Sequence, residues 1–221
     1  GIARSYFINS ELKDNKFNSY HAEDLIKGEV ENIPIEFCEL HVENKLTVWM
    51  DPETSVVFRG IFFHGRLGKK FIGRTLILPD EAEKKLGKYF GGMAQELWGE
   101  INEKGNLLQL ENPQFEKLFA VYADDQVEAR SILTPKVMEN LTTFQNQYGR
   151  AISLSFKENH VYAIFPFWGE QQRYLEPTFF SPLTSDVVEE FYEILQMMVR
   201  LVQELNLGYG TYQEMHKYGG S

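Results

Sequence analysis

"GEVENIPIEFCELHVE", residues 28–43, decides how this chain is read. Its apolar residues fall at Ile33, Ile35 and Phe37, then at Leu40 and Val42. Alternation of this kind marks a strand, because successive side chains of a strand point to opposite faces. The pattern continues downstream in "KLTVWMD" (45–51), "SVVFRGIFFHGRL" (55–67) and "KKFIGRTLILPD" (69–80), with Pro52, Gly65 and Gly68 supplying turns. Residues 28–79 are therefore expected to form an antiparallel meander. Upstream, residues 1–27 are polar and mixed, with Tyr6, Phe7, Phe17 and Tyr20 as their aromatics. They are expected to be a lead-in segment with a short helix.

The grammar then turns helical. In "DEAEKKLGKYFGGMAQELWGEIN" (80–102) Leu86, Phe90, Met93 and Leu97 share one helical face. Its opening acids suit the positive end of a helix dipole. Gly91-Gly92 weakens its middle by about 1 kcal/mol per glycine. "NLLQLEN" (106–112) reads as a short strand. Asn112-Pro113 and Thr134-Pro135 each pair a capping residue with proline at the first helical position. The second helix is expected to bury Val137, Leu141, Phe144 and Tyr148 and to end at Gly149. "AISLSFKENHVYAIFPF" (151–167) alternates on either side of Glu158-Asn159, as a β-hairpin does. A last long helix, "SDVVEEFYEILQMMVRLVQELNL" (185–207), carries Val187, Phe191, Leu195, Met198, Val202 and Leu205 on one stripe and is expected to stop at Gly208.

The expected fold class is α+β: an antiparallel β-meander or partial barrel with central helices, a late β-hairpin and a long C-terminal helix. A pleckstrin-homology-like arrangement fits this order if the central helices are insertions. The expected organisation is a lead-in over 1–27, a single α+β domain over 28–207, and a loose tail over 208–221.

Composition narrows function. The chain has 221 residues, 43% hydrophobic and 14% aromatic, enough for a substantial core. A net charge of −10 argues against nucleic acid, whose phosphates need concentrated Lys and Arg. The one cysteine, Cys38, cannot make an intramolecular disulfide or a multi-cysteine zinc site, and is expected to be a small buried hydrophobe. His41, three positions along the same strand, points to the opposite face. The longest apolar run, "VYAIFPFWG" (161–169), is far too short to span a bilayer. The chain opens on "GIARSYF" without an initiator methionine and is expected to be excised from a longer protein.

Four landmarks in order carry a family resemblance: "EDLIKGEVENIPIEFCELHVE", "VFRGIFFHGRLGKKFIGRTLILPD", "LENPQFEKLFAVYADDQVEARSILTP" and a closing "ELNL". Over residues 5 to 207 the chain resembles the bacterial family of uncharacterised proteins called domain of unknown function 3137. The resemblance brings no established activity. It implies a domain tethered to a membrane by a segment outside this chain, on the cytoplasmic side.

Two clusters are candidate sites. Asp124, Asp125 and Glu128 lie within "YADDQVEARSILTP" (122–135), with Arg130 just after. Asp125 and Glu128 have capping-box spacing, Asp125 accepting from a first-turn amide and Glu128 reaching back. The same three carboxylates are the hard oxygen ligands a metal-dependent hydrolase would use. They lack the alternating oxygen ligands and central glycine of a calcium loop. The second cluster is basic: Arg59, Arg66, Lys69, Lys70 and Arg74. It is expected to meet an anionic headgroup or small anionic ligand, or else to be a solvated hairpin tip. The histidines at 21, 41, 64, 160 and 216 are scattered, and no pair has the spacing of a helical zinc site. The aromatic stretch 165–177 is a further candidate partner surface. No nucleotide loop or nucleophile elbow occurs, and no cofactor is expected. The preferred reading is a non-enzymatic interaction or regulatory module.

Overall fold

The computed structural model describes residues 1–13, 15–46, 53–68, 70–79, 106–149, 151–167 and 185–218. In chain order the elements are α1 (Arg4–Asn9), β1 (Ser19–Val30), β2 (Ile33–Leu46), β3 (Glu53–Arg66), β4 (Thr75–Pro79), β5 (Asn106–Leu108), α2 (Pro113–Glu116), β6 (Phe119–Ala123), α3 (Gln126–Ile132), α4 (Pro135–Tyr148), β7 (Ser153–Lys157), β8 (His160–Pro166) and α5 (Ser185–Tyr218). The class is α+β, as expected. The strands form one open sheet in the order β1-β2-β3-β8-β7-β4-β6-β5, and every neighbouring pair is antiparallel. β2 and β3 pair as the meander read from the sequence requires; β1 adds residues that reading left in the lead-in, and β4, expected to follow β3, pairs with β7 and β6 instead. The late hairpin β7–β8 then inserts between β3 and β4.

The stretch 28–43 is not one strand. Glu31 (φ 51°) and Asn32 (φ 66°) are both left-handed, and Val30 pairs with Ile33 across them. This is the mirror-image turn whose twist matches a hairpin, and asparagine is among the residues that enter it most readily. Gly28–Val30 therefore close β1, and β2 begins at Ile33. From there the alternation has a structural cause. Ile33, Ile35 and Phe37 face one core and Cys38, Leu40 and Val42 face another. The apolar positions change parity because the two ends of the strand are buried on opposite faces.

The larger core lies between the sheet and the helices. Ile61, Phe63, Ile77, Val121 and Phe156 meet Phe115, Ile132, Leu141, Phe144, Met198 and Val202 there. The smaller core lies on the other face, where Ile2, Phe7, Leu12 and Phe17 cover Cys38, Leu40, Phe58 and Phe62. The lead-in reading of 1–27 is corrected on this point. Residues from Ser19 onward are a sheet strand, and the residues before them bury enough apolar surface to cover the sheet.

The helix punctuation follows the sequence. The Asn112 side chain accepts from the amides of Gln114 and Phe115, and Pro113 opens α2. Thr134 accepts from the Val137 amide, Pro135 opens α4, and Gly149 ends it in the left-handed region at φ 61°. α5 buries Met198, Val202 and Leu205 from the expected stripe, together with Ile194, Met197 and Leu201. It packs against α4, α3 and β1. Gly208 does not stop it, since the helix runs to Tyr218. The helix expected over 80–102, Lys69, and residues 168–177 of the aromatic stretch lie outside the described residues. Among the described residues no helix is long and apolar enough to cross a membrane.

Candidate functional site

The acid cluster holds a loop. β6 ends at Ala123 and α3 begins at Gln126, so Asp124 and Asp125 occupy the turn between them. The Asp125 carboxylate accepts from the Glu128 amide at 2.8 Å, which is the expected cap. Glu128 directs its carboxylate to another segment. Its side chain is fully buried, and its two oxygens accept from the amides of Ile72 (2.7 Å) and Gly73 (2.9 Å). Asp124 Oδ2 accepts from the Arg74 amide at 2.9 Å. The three carboxylates are thus engaged with backbone N–H groups of two segments, and they do not converge on one point as hard-cation ligands must. Among the described residues no group of three or more His, Cys, Asp or Glu is placed to hold a metal ion.

The basic residues are not one patch. Arg59 and Arg66 stand at opposite ends of a continuous stretch of β3, about 23 Å apart at the rise of a strand. Arg74 is buried and bonds Glu11 of the N-terminal segment. Its guanidinium also comes within 3.9 Å of Asp124. Arg66 and Lys70 remain exposed at one end of the sheet. Ile72, between Lys70 and Arg74 in the chain, is 68% exposed, the highest value for a large apolar residue among those described.

The described residues on either side of Ile72 are held by backbone bonds. The amides of Leu67 and Phe71 donate to the carbonyls of Asn159 and Glu158 in the β7–β8 turn, and Asn159 donates back to the Leu67 carbonyl. Phe71 is buried edge-on against Phe156. The buried Leu67 and Phe71 and the two amides held by Glu128 therefore fix the backbone that presents the exposed Ile72 just after Lys70.

A third constellation escaped the sequence. Cross-strand register sets Lys27, Glu36, His64, Tyr162 and Ser155 in a row across β1, β2, β3, β8 and β7. His160 is the diagonal neighbour of His64, and His64 Nε2 lies 2.8 Å from His160 Nδ1. The His64 ring is stacked between Tyr6 (3.9 Å between centroids) and Tyr162 (5.3 Å). Its Nδ1 faces Glu36 at 3.8 Å, beyond hydrogen-bond length. Glu36 is in turn paired with Lys27 at 2.6 Å. Burial, reinforced by the neighbouring His160, pushes the His64 imidazole down to about 4. His160 is also lowered, chiefly by burial. The signal was absent from the sequence because the two histidines are 96 positions apart. Only the pairing of β3 with β8 brings them together.

Cys38 is buried, and burial pushes its thiol up to about 12. A thiol so far from ionisation is a packing residue rather than a nucleophile.

Comparison with known proteins adds a family. The model of the family described as "Protein of unknown function (DUF3137)" matches residues 56–207, and the chain belongs to that family. No curated protein matches. Among solved structures, the crystal structure of the mycobacterial trehalose monomycolate transport factor A, TtfA, is similar at 11% identity and a TM-score of 0.45, covering 85% of this chain and 74% of that one.

Proposed function

We propose that this member of the DUF3137 family is a non-enzymatic interaction module that docks on an anionic membrane surface through its 66–74 loop. The observation that carries the reading is Ile72, exposed two residues after the exposed Lys70 and six after the exposed Arg66, on a backbone gripped by the buried Glu128. An exposed apolar side chain on a fixed loop loses little conformational entropy when it enters an interface. The flanking cations match anionic headgroups, at about 1 kcal/mol for each one near the surface. The whole chain carries −10, so attraction would be local and felt within about a Debye length, ~8–10 Å. The lasting anchor would be the segment outside this chain that the family resemblance implies, with the domain on the cytoplasmic face of a bacterial membrane. Docking would then orient an already tethered domain, for which a weak contact suffices.

Sedimentation with vesicles of phosphatidylglycerol and phosphatidylcholine tests this. At low salt the protein should pellet with the mixed vesicles and stay in solution with pure phosphatidylcholine. Ile72→Ser should weaken pelleting roughly tenfold, because the buried part of an isoleucine contributes about 1.5–3 kcal/mol. Replacing Arg66 and Lys70 together by Glu should abolish it. Equal behaviour with both vesicle types would overturn the proposal.

A further inference from the structure

We propose that the N-terminal segment through Leu12 is a proton-operated strap, held over the smaller apolar face while His64 and His160 share a hydrogen bond and released when both rings are charged. The covered face is substantial. Phe7 meets Phe17, Phe58 and Phe62 at centroid distances of 5.6–5.8 Å, and Ile2, Phe7 and Leu12 are buried. The Tyr20 hydroxyl of β1 donates to the Ile2 carbonyl at 3.0 Å, and two further contacts tie the later part of the segment to the sheet and to the loop before β4. One is Glu11, bonded to Lys157 of β7 and to Arg74. The other is Tyr6, stacked on His64 with planes 21° apart.

The histidine pair sets the condition. At 2.8 Å, one nitrogen must present a proton and the other a lone pair. Two neutral rings satisfy this, and so does one imidazolium beside one imidazole. Two imidazoliums do not, since both nitrogens then carry protons and the rings repel. His64 has no room to withdraw, because Tyr162 and Tyr6 close on it from both sides. The Tyr162 side is a strand paired on both edges and the Tyr6 side is a helix of six residues. The strap is the side that yields.

The surrounding charges do not rescue the doubly protonated pair. Glu36 on β2 favours a proton on His64, yet its carboxylate is shared with Lys27 of β1. Glu158 in the β7–β8 turn favours a proton on His160, and Arg66 on β3 opposes protonation of both rings. Both imidazoles lie below their ordinary value of 6.5 in the folded chain. Strap stability is therefore intact above pH 6.5 and falls as pH drops below it. The Glu11 contact is separable, since its carboxyl lies below 4.5 and remains ionised at pH 5.

Hydrogen exchange of the whole chain, expressed as protection factors corrected for the intrinsic pH dependence of exchange, reads this directly. Between pH 7 and pH 5, peptides within residues 1–12 should lose protection by about tenfold or more, while peptides of β3 and β8 keep theirs. His160→Gln retains a hydrogen-bonding partner for His64 but cannot charge, and should keep the strap protected at pH 5. His64→Phe keeps the stacking and provides the same test from the other ring. The proposal is overturned if strap protection is unchanged between the two pH values, or if either variant loses it as the native chain does.

Discussion

Glu128 and Gly73 lie 55 positions apart and are joined by a 2.9 Å hydrogen bond from the Gly73 amide to the buried carboxylate. The other carboxylate oxygen holds the Ile72 amide. Glu128→Ala leaves both donors without a partner and opens a cavity. It should destabilise the fold by about 3 kcal/mol. Glu128→Gln keeps one acceptor and should cost less than Ala. Urea midpoints of the three proteins give the ranking, and an Ala variant as stable as the native chain would remove the account of the loop.

Asp125 caps α3 through the Glu128 amide. Asp125→Ala should lower stability by about 1 kcal/mol, and Asp125→Asn should restore most of it. Isothermal titration with magnesium and manganese runs beside the denaturation. Stability unchanged in the Ala variant, together with a metal affinity that the variant abolishes, would replace the capping reading by the hydrolase reading.

Gly60 sits opposite Pro166 where β3 pairs with β8. At φ +156° a Cβ there would meet the Phe165 carbonyl oxygen at 2.0 Å and Pro166 Cα at 2.9 Å. Both obstacles are backbone, so the strands must part. Gly60→Ala should cost about 3 kcal/mol or more. Gly68→Ala, where a Cβ would meet no atom of the described residues beyond its chain neighbours within 4 Å, should be nearly neutral. Thermal unfolding of the two variants side by side tests the contrast.

Burial tends to raise the Glu11 carboxyl, but hydrogen bonds and charge from Lys157 and Arg74 outweigh it and hold the group below 4.5. A carboxyl lowered by folding contributes stability above its unfolded value, lost as pH falls through the folded one. Denaturant midpoints should therefore drop as pH falls below about 4.5. Glu11→Gln should flatten that part of the profile while leaving the histidine-dependent change near neutral pH in place. An unchanged slope in the variant would show that other carboxyls govern the acid limb.

The local elements were legible where short-range rules govern them. Asn112, Asp125 and Thr134 cap their helices, and Gly149 ends one, because capping is settled within a single helical turn. The β7–β8 hairpin was equally plain, since its strands are adjacent in the chain. Gly208 misled for the opposite reason. A glycine weakens a helix by about 1 kcal/mol, which is a bias rather than a stop. The Glu31–Asn32 turn was passed over because neither glycine nor proline announces it.

The candidate sites show the division more sharply. Asp124, Asp125 and Glu128 were conspicuous as acids, but what they hold arrives from residues 72–74 and cannot be inferred from their own spacing. The basic residues looked like one patch because sequence counts neighbours along the chain. The extended rise of β3 carries Arg59 away from Arg66, and Glu11 covers Arg74. The histidine pair was invisible for the converse reason.

By itself the sequence determined the α+β class, the strand-rich first third, the caps, the hairpin and the buried stripe of the last helix, all set by periodicity and local hydrogen bonding. Tertiary structure alone decided that β7–β8 inserts between β3 and β4, that the N-terminal segment covers the second face, and that His64 meets His160. Those outcomes depend on which strand edges pair and which apolar faces are buried together, and contacts between residues far apart in the chain leave no period in it to read.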